Sequence, residues 1–244
     1  MIRYKYAGLT RQGIRNENQD DFIIFDTKNK YIVAAVADGM GGHLDGKLAS
    51  KMTIELVKKI FYNIDFNNLS DVEIQNLLIT YMKDIQSFLN EEVEKRDLSF
   101  DMGTTLNLNI FYGNKLFTIN IGDSRATLWE KNHHFQISED HNLAQLAKKN
   151  DAFKKYSNFT NYLTSALGPR RDSKVDIYVT LLDKKGYIII TSDGVHNYLK
   201  DEEYNKILKK KTTIEEKTKK IIETAEKNKS VDNMTCILVN YELK

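Results

Sequence analysis

Apolar residues along this chain recur at two different spacings, and the switches between them divide it into elements. Residues 21–25 and 31–37 are apolar runs separated by a polar stretch at 26–30, which reads as a hairpin. Residues 38–46 read as a glycine-rich loop. From Lys47 the period changes: Leu48, Met52, Leu56 and Ile60, flanked by Ala49 and Val57, lie on one face of a helix. Ser70-Asp-Val-Glu has the form of a capping box, and Ile74, Leu77, Leu78, Tyr81, Ile85, Phe88 and Leu89 continue as a helical stripe. Strands then return at 105–111, 115–121 and 126–130, with Gly113-Asn114 as a tight turn. Leu106, Leu108 and Ile110 alternate with polar residues, as in a half-exposed antiparallel strand. Residues 142–162 are weakly patterned and rich in Asn and Lys, and are expected to form a mobile helical or irregular insert. A buried strand at 187–191, one Lys/Glu-rich helix over 201–227 and a closing strand at 235–241 complete the chain. Strand runs broken by paired helices argue for α+β layers over a parallel doubly wound sheet.

Composition narrows the class without naming a chemistry. The 244 residues suit one domain spanning 1–244, and a single proline gives no sign of a rigid hinge. Hydrophobic residues make up 41% and charged residues 29%, as in an ordinary globular protein. A net charge of +2 leaves no global footprint for nucleic acid. The lysine runs at 209–211 and 219–220 are interspersed with glutamates and read as a solvated helix face. The single cysteine, Cys236, excludes an internal disulfide and a cysteine zinc cluster, and its apolar neighbours make it a packing residue. The N-terminus has no apolar signal core, and no stretch approaches the roughly 20 apolar residues of a membrane helix. A cytoplasmic protein is expected.

The candidate chemistry lies in four aspartates at the ends of apolar runs: Asp38, Asp123, Asp193 and Asp232. Any one Asp-Gly or Asp-Asn is more often a turn than a ligand. Four at strand ends form a set that hard divalent cations favour, since such ions take rigidly held carboxylate oxygens. An oxygen-rich set with no His or Cys partners selects Mg²⁺ or Mn²⁺ over Zn²⁺. Arg15 precedes a polar, acidic turn; its donor fork suits phosphate oxygens, but alone it reads more readily as a solvated surface charge.

Taken in order, these segments resemble a known family. Arg15-x-x-Asn18-Gln19-Asp20, Asp38-Gly-Met-Gly-Gly-His43 with Gly46 and Ala49-Ser50, Gly103-Thr-Thr105, Gly122-Asp-Ser-Arg125, Leu163-Thr-Ser-Ala-Leu-Gly168, Ser192-Asp-Gly194 and Asp232-Asn-x-Thr235 look like the motif series of the metal-dependent protein phosphatases of the protein phosphatase 2C type, and most like its compact bacterial members. The likeness spans residues 8 to 240. It implies an αββα sandwich: two central antiparallel β-sheets flanked by helix pairs. It implies hydrolysis of phosphoserine and phosphothreonine in proteins by a metal-activated bridging water or hydroxide, opposing a serine/threonine kinase. Asp38 would bridge two Mg²⁺ or Mn²⁺ ions, with the carbonyl of Gly39 on one of them and Asp193 and Asp232 completing the centre. Asp123, with Asp193, would hold a third, weaker ion. Asp20 would act through a metal-bound water, Arg15 would hold the phosphate, and 142–162 would be a flap beside the cleft. Phosphoproteins and a cognate kinase would be the partners of a monomer.

The sequence departs from that family in two places. Gln19 stands where glutamate is frequent, and Met40 stands where eukaryotic members carry a histidine thought to act as general acid. His43 is a weak candidate for that acid. His133 and His134 read as a surface turn, His141 as a cap for the following helix or flap, and His196 as structural. Two rival readings are a phosphoprotein-binding module that does not turn over and a hydrolase of phosphodiesters or small phosphates.

Overall fold

The computed structural model describes residues 2–41, 45–131, 133–159, 162–169, 171 and 173–243. Its strands are β1 (Ile2–Arg11), β2 (Asp20–Asp26), β3 (Ile32–Met40), β4 (Gly103–Thr104), β5 (Leu106–Tyr112), β6 (Lys115–Ile121), β7 (Arg125–Glu130), β8 (His133–Gln136), β9 (Asp176–Leu181), β10 (Lys185–Thr191) and β11 (Met234–Leu243). They form two antiparallel sheets, β1-β11-β10-β7-β8 and β2-β3-β5-β6-β9, with β4 against β3. Helices α1 (Asp45–Phe61) and α2 (Asp71–Arg96) cover the second sheet; α5 (Asp201–Leu208) and α6 (Ile214–Lys227) cover the first. Two short helices, α3 (Leu143–Lys149) and α4 (Asp193–His196), lie in the connections. This is the four-layer αββα sandwich expected from the sequence.

Burial explains why β3 reads as a continuous apolar run. Its Val33 and Ala35 pack toward Ala49, Val57, Ile74 and Leu78 of the helices. Its Ile32, Ala34 and Val36 pack toward Ile188, Ile190, Ile237 and Val239 of the other sheet. A strand buried on both faces carries no polar alternation. On the far side, Ile189, Cys236 and Leu238 meet Tyr204, Ile207, Ile221 and Ile222. Cys236 is fully buried, and burial raises its thiol pKa far above the ordinary range, as its packing role requires.

The capping box at Ser70 and Glu73 starts α2 as the sequence predicts. Other boundaries differ. The single helix expected over 201–227 is two, because Thr213 and Glu216 form a second capping box that restarts the chain at Ile214. β1 and β9 lack a strong apolar signal, since their residues are half-buried or exposed, yet both pair along their length. His133 and His134 are not a turn: they pair with Glu130 and Trp129 as an exposed edge strand. β3 runs on to Met40, so Asp38 and Gly39 belong to a strand and not to the expected loop. The segment expected as a helical or irregular insert takes the helical form in part, with α3 capped by the Asn142 side chain and a 3-10 turn at Asp151–Tyr156.

Candidate metal centre

The site is built from chain ends that the two sheets bring together. Asp20 opens β2 and stands in register with Asp38 on β3. Asp38 is clamped through its backbone: its N–H donates to Thr105 Oγ1 at 2.9 Å, and its carbonyl accepts from Thr105 N–H at 2.9 Å and Thr104 Oγ1 at 3.0 Å. Gly39 next to it has no room for a side chain, because a Cβ would lie 2.1 Å from the Gly46 carbonyl oxygen. From the other sheet, Asp193 opens α4 directly after β10, and Asp232 precedes β11. A Cβ on Gly194 would lie 1.9 Å from the Asn233 carbonyl, so glycine lets the two aspartate-bearing loops touch. Asp123, buried, follows Gly122 and lies beyond the end of β6.

Asn233 joins these parts. Its amide donates to the carbonyls of Gln12 (2.7 Å) and Glu17 (2.9 Å), and its oxygen accepts from Gln19 N–H (2.9 Å). The loop carrying Arg15 is thereby tied to the loop carrying Asp232. The result is a cleft of about 730 Å³ whose lining includes Arg15, Asp38, Gly39, Asp123, Asp193 and Asp232.

The electrostatics of this cleft are those of anions gathered away from water. Burial pushes the Asp20 carboxyl up to about 7 against hydrogen bonds from Thr235 and Ser192, and Asp193 and Asp232 raise it further. Burial and the Asp232 charge push Asp193 up to about 6. Asp38 and Asp123 are also held well above the carboxylate range, first by desolvation and then by neighbouring aspartates. The neighbouring Asp38 side chain and Arg15 oppose part of that rise at Asp193.

Among the described residues, no three acidic, His or Cys side chains are close enough together to hold a metal ion between them. The donors nevertheless fit a hard cation. They are all oxygens, carboxylate apart from the Gly39 carbonyl, and Asp20 has one oxygen bonded by Ser192 (2.7 Å) and Thr235 (2.6 Å) and the other buried with no partner. Arg15 supplies the positive charge at one edge. Its Nε and a terminal nitrogen donate to the two Asp232 oxygens at 3.0 and 2.7 Å. The expected phosphate holder and an expected metal ligand therefore hold each other.

The histidines sort clearly. His141 does not cap the helix; Asn142 does. The buried His141 ring accepts the Gly122 N–H at 3.2 Å and meets Asp176 at 2.9 Å, steadying the loop before Asp123. His196 is half-buried and hydrogen-bonded to Thr191 at 3.0 Å, and desolvation keeps its pKa well below the ordinary value, so it is a neutral structural residue. His43 lies outside the described residues. Met40 and Gln19 line the cleft.

Sequence reasoning missed a buried polar ladder inside the sandwich. Thr118 donates to Asn109 (2.8 Å), Asn109 to Asn107 (2.7 Å), and Asn107 to Asn120 (2.8 Å). Asn120 donates to the carbonyls of Gly122 (3.0 Å) and Glu139 (2.8 Å). The only sequence signal was the alternation of Asn with Leu along β5, which reads as solvent exposure when the polar face is in fact enclosed.

Comparison with known proteins agrees with this arrangement. The family model for Protein phosphatase 2C matches residues 9–239. A serine/threonine phosphatase stp of Listeria innocua is 32% identical over 240 residues, covering 96% of this chain and 94% of its own. The solved structure of the S. agalactiae serine/threonine phosphatase superposes with a TM-score of 0.88 at 26% identity, covering 97% of this chain and 99% of that one. The fold also matches the catalytic domain of the serine/threonine protein phosphatase PstP in complex with 2 manganese ions, with a TM-score of 0.85 at 23% identity and full coverage of both chains. Two antiparallel sheets with aspartates at their converging ends, and a family match over nearly the whole length, place this chain in the protein phosphatase 2C family, among its bacterial serine/threonine phosphatases.

Proposed function

We propose that the carboxylate cleft of this serine/threonine protein phosphatase hydrolyses phosphoserine and phosphothreonine esters in proteins phosphorylated by a serine/threonine kinase, the kinase itself included. The observation that carries this reading is the convergence of Asp38, Asp123, Asp193 and Asp232 on one cleft from both sheets, with Asp20 in register beside Asp38. Asp38, the Gly39 carbonyl, Asp193 and Asp232 would hold two Mg²⁺ or Mn²⁺ ions. Asp123 with Asp193 would hold a third, and Asp20 would act through a water. When bound, such ions supply Lewis acidity and a water of lowered pKa that can attack phosphorus near neutral pH.

The remaining chemistry belongs to the chain. Arg15, exposed at the rim, offers a planar fork to the phosphate and orients it for in-line attack. The clamps on Asp38 and the Gly194–Asn233 contact hold the carboxylates on a rigid frame. No side-chain nucleophile is required. Chain 1–244 acts as one catalytic domain, with 142–162 as a flap whose last residue, Tyr162, reaches the cleft. The manganese complex of the similarly folded PstP domain supports the choice of ion. Among the described residues no helix is long and apolar enough to cross a membrane; a monomer working in the cytoplasm completes the proposal.

The test is phosphate release from a phosphothreonine peptide with Mn²⁺, with a chelator, and by Asp193→Asn. Activity in Mn²⁺ that falls about a hundredfold or more in the other two is expected, the scale of losing a major electrostatic element of a site. Equal rates in all three would remove the metal mechanism.

A further inference from the structure

We infer that Arg171 is a second anion anchor of the cleft, one that reads an oxyanion on the substrate beside the scissile phosphate. The inference rests on the phosphatase reading above and adds a substrate preference to it.

Arg171 lines the same cleft as the aspartates. It is held from two directions. Its backbone N–H donates to the Gly168 carbonyl at 3.3 Å, and a terminal guanidinium nitrogen donates to the Asp101 carbonyl at 2.5 Å. The guanidinium packs over Gly103, where a Cβ would lie 2.5 Å from its Nε, so glycine at 103 admits the arginine to this wall. That Nε is buried and has no partner. A buried, unsatisfied donor on a charged group is costly.

Three arginines outside the cleft spend their charge on carboxylates: Arg11 on Glu226, Arg96 on Glu92 and Arg125 on Asp140. In the cleft, Arg15 is paired with Asp232. Arg171 has no carboxylate partner among the described residues; a backbone carbonyl fixes its direction without neutralising it. A guanidinium oriented this way, with its Nε against β4 and N–H donors on its terminal nitrogens still to fill, is suited to charge-assisted capture of a carboxylate or phosphate.

The two cleft arginines, both in loops, are held against different sheets. Arg15 is bonded to Asp232 ahead of β11, whereas Arg171 packs on β4 beside β3. A peptide whose phosphate lies at Arg15 and the aspartates therefore presents a neighbouring residue to Arg171. The exposed ring of Tyr162, also in the lining, offers that flank an aromatic surface. The shared chemistry is an oxyanion, supplied either by an Asp or Glu side chain or by a second phosphorylated residue.

The experiment uses phosphothreonine peptides that differ at one flanking position, scanned over the three positions on each side: alanine, glutamate or a second phosphothreonine. Wild type, Arg171→Gln and Arg171→Lys are compared with Mn²⁺ present. Glutamine keeps a donor for the Asp101 carbonyl and removes the charge; lysine keeps the charge and removes the fork. Wild type is expected to favour an anionic flank by about tenfold in kcat/KM, expressed in KM, as one charge-assisted contact would give. The preference vanishes in Arg171→Gln and survives in part in Arg171→Lys. A preference for glutamate assigns a carboxylate; a preference confined to the second phosphate assigns a doubly phosphorylated segment. No preference in wild type, or the same preference in Arg171→Gln, overturns the inference. Fluorescence anisotropy with the same peptides keeps the two readings apart: absence of all turnover defeats the phosphatase reading, while an Arg171-dependent preference in binding still stands or falls by itself.

Discussion

Removing Arg15 should strengthen metal binding and weaken catalysis at once. Both Asp232 oxygens are bonded to the guanidinium, at 3.0 and 2.7 Å, so Asp232 cannot offer them freely to a cation while that pair stands. The pair is partly solvated, with side-chain exposures of 55% for Arg15 and 31% for Asp232. Exposed ion pairs are worth at most about 1 kcal/mol, so in Arg15→Ala the Mn²⁺ affinity should rise by no more than about fivefold. The same substitution removes a charge-assisted contact to substrate phosphate worth about 1.5–3 kcal/mol, and kcat/KM on a phosphothreonine peptide should fall by roughly ten- to a hundredfold. Calorimetric Mn²⁺ titration and steady-state kinetics at saturating Mn²⁺ read the two effects separately. Weaker Mn²⁺ binding in Arg15→Ala would refute the reasoning, because the arginine would then be assembling the cluster. A change in kcat/KM of less than about twofold would refute the phosphate contact.

Three further outcomes are expected. Asp20 and Asp193 have folded pKa values raised to about 7 and about 6 from 3.8, so the folded protein holds protons that the unfolded chain releases. Their contribution to stability is present below pH 4 and lost as pH rises to about 7; the thermal midpoint of chelator-treated protein should fall over that window, and less steeply in Asp20→Asn. Gly194→Ala puts a methyl group 1.9 Å from the Asn233 carbonyl and must push the Asp193 and Asp232 loops apart; a loss of about 1–3 kcal/mol in chemical denaturation with loss of Mn²⁺-dependent turnover is expected. Asn120→Ala strips donors from the carbonyls of Gly122 and Glu139 and an acceptor from Asn107; at about 1–3 kcal/mol for a buried unsatisfied group, the melting temperature should drop by several degrees.

The layers were legible in the sequence because β3, β10 and the helices α1 and α2 carry apolar patterns set by burial alone. The aspartates were legible because they close those runs. What stayed hidden depends on partners remote in sequence. β1 is a strand because β11 pairs with it, 10 residues against 10, and its own half-buried residues carry little pattern. The break at Thr213 was a capping box with too little apolar contrast around it to stand out. Asn107, Asn109 and Asn120 read as solvent-facing because an Asn amide buried by a second sheet looks, in one strand, like an exposed one. Arg171 reached the cleft through packing on Gly103, 68 residues earlier, which no local spacing announces.

The most direct test of a metal-dependent aspartate centre is anomalous scattering from crystals soaked in Mn²⁺. Two peaks among Asp38, Asp193 and Asp232, with Asp232 released from Arg15, are expected. The absence of any peak at those side chains, at a Mn²⁺ concentration that supports full turnover, would contradict it.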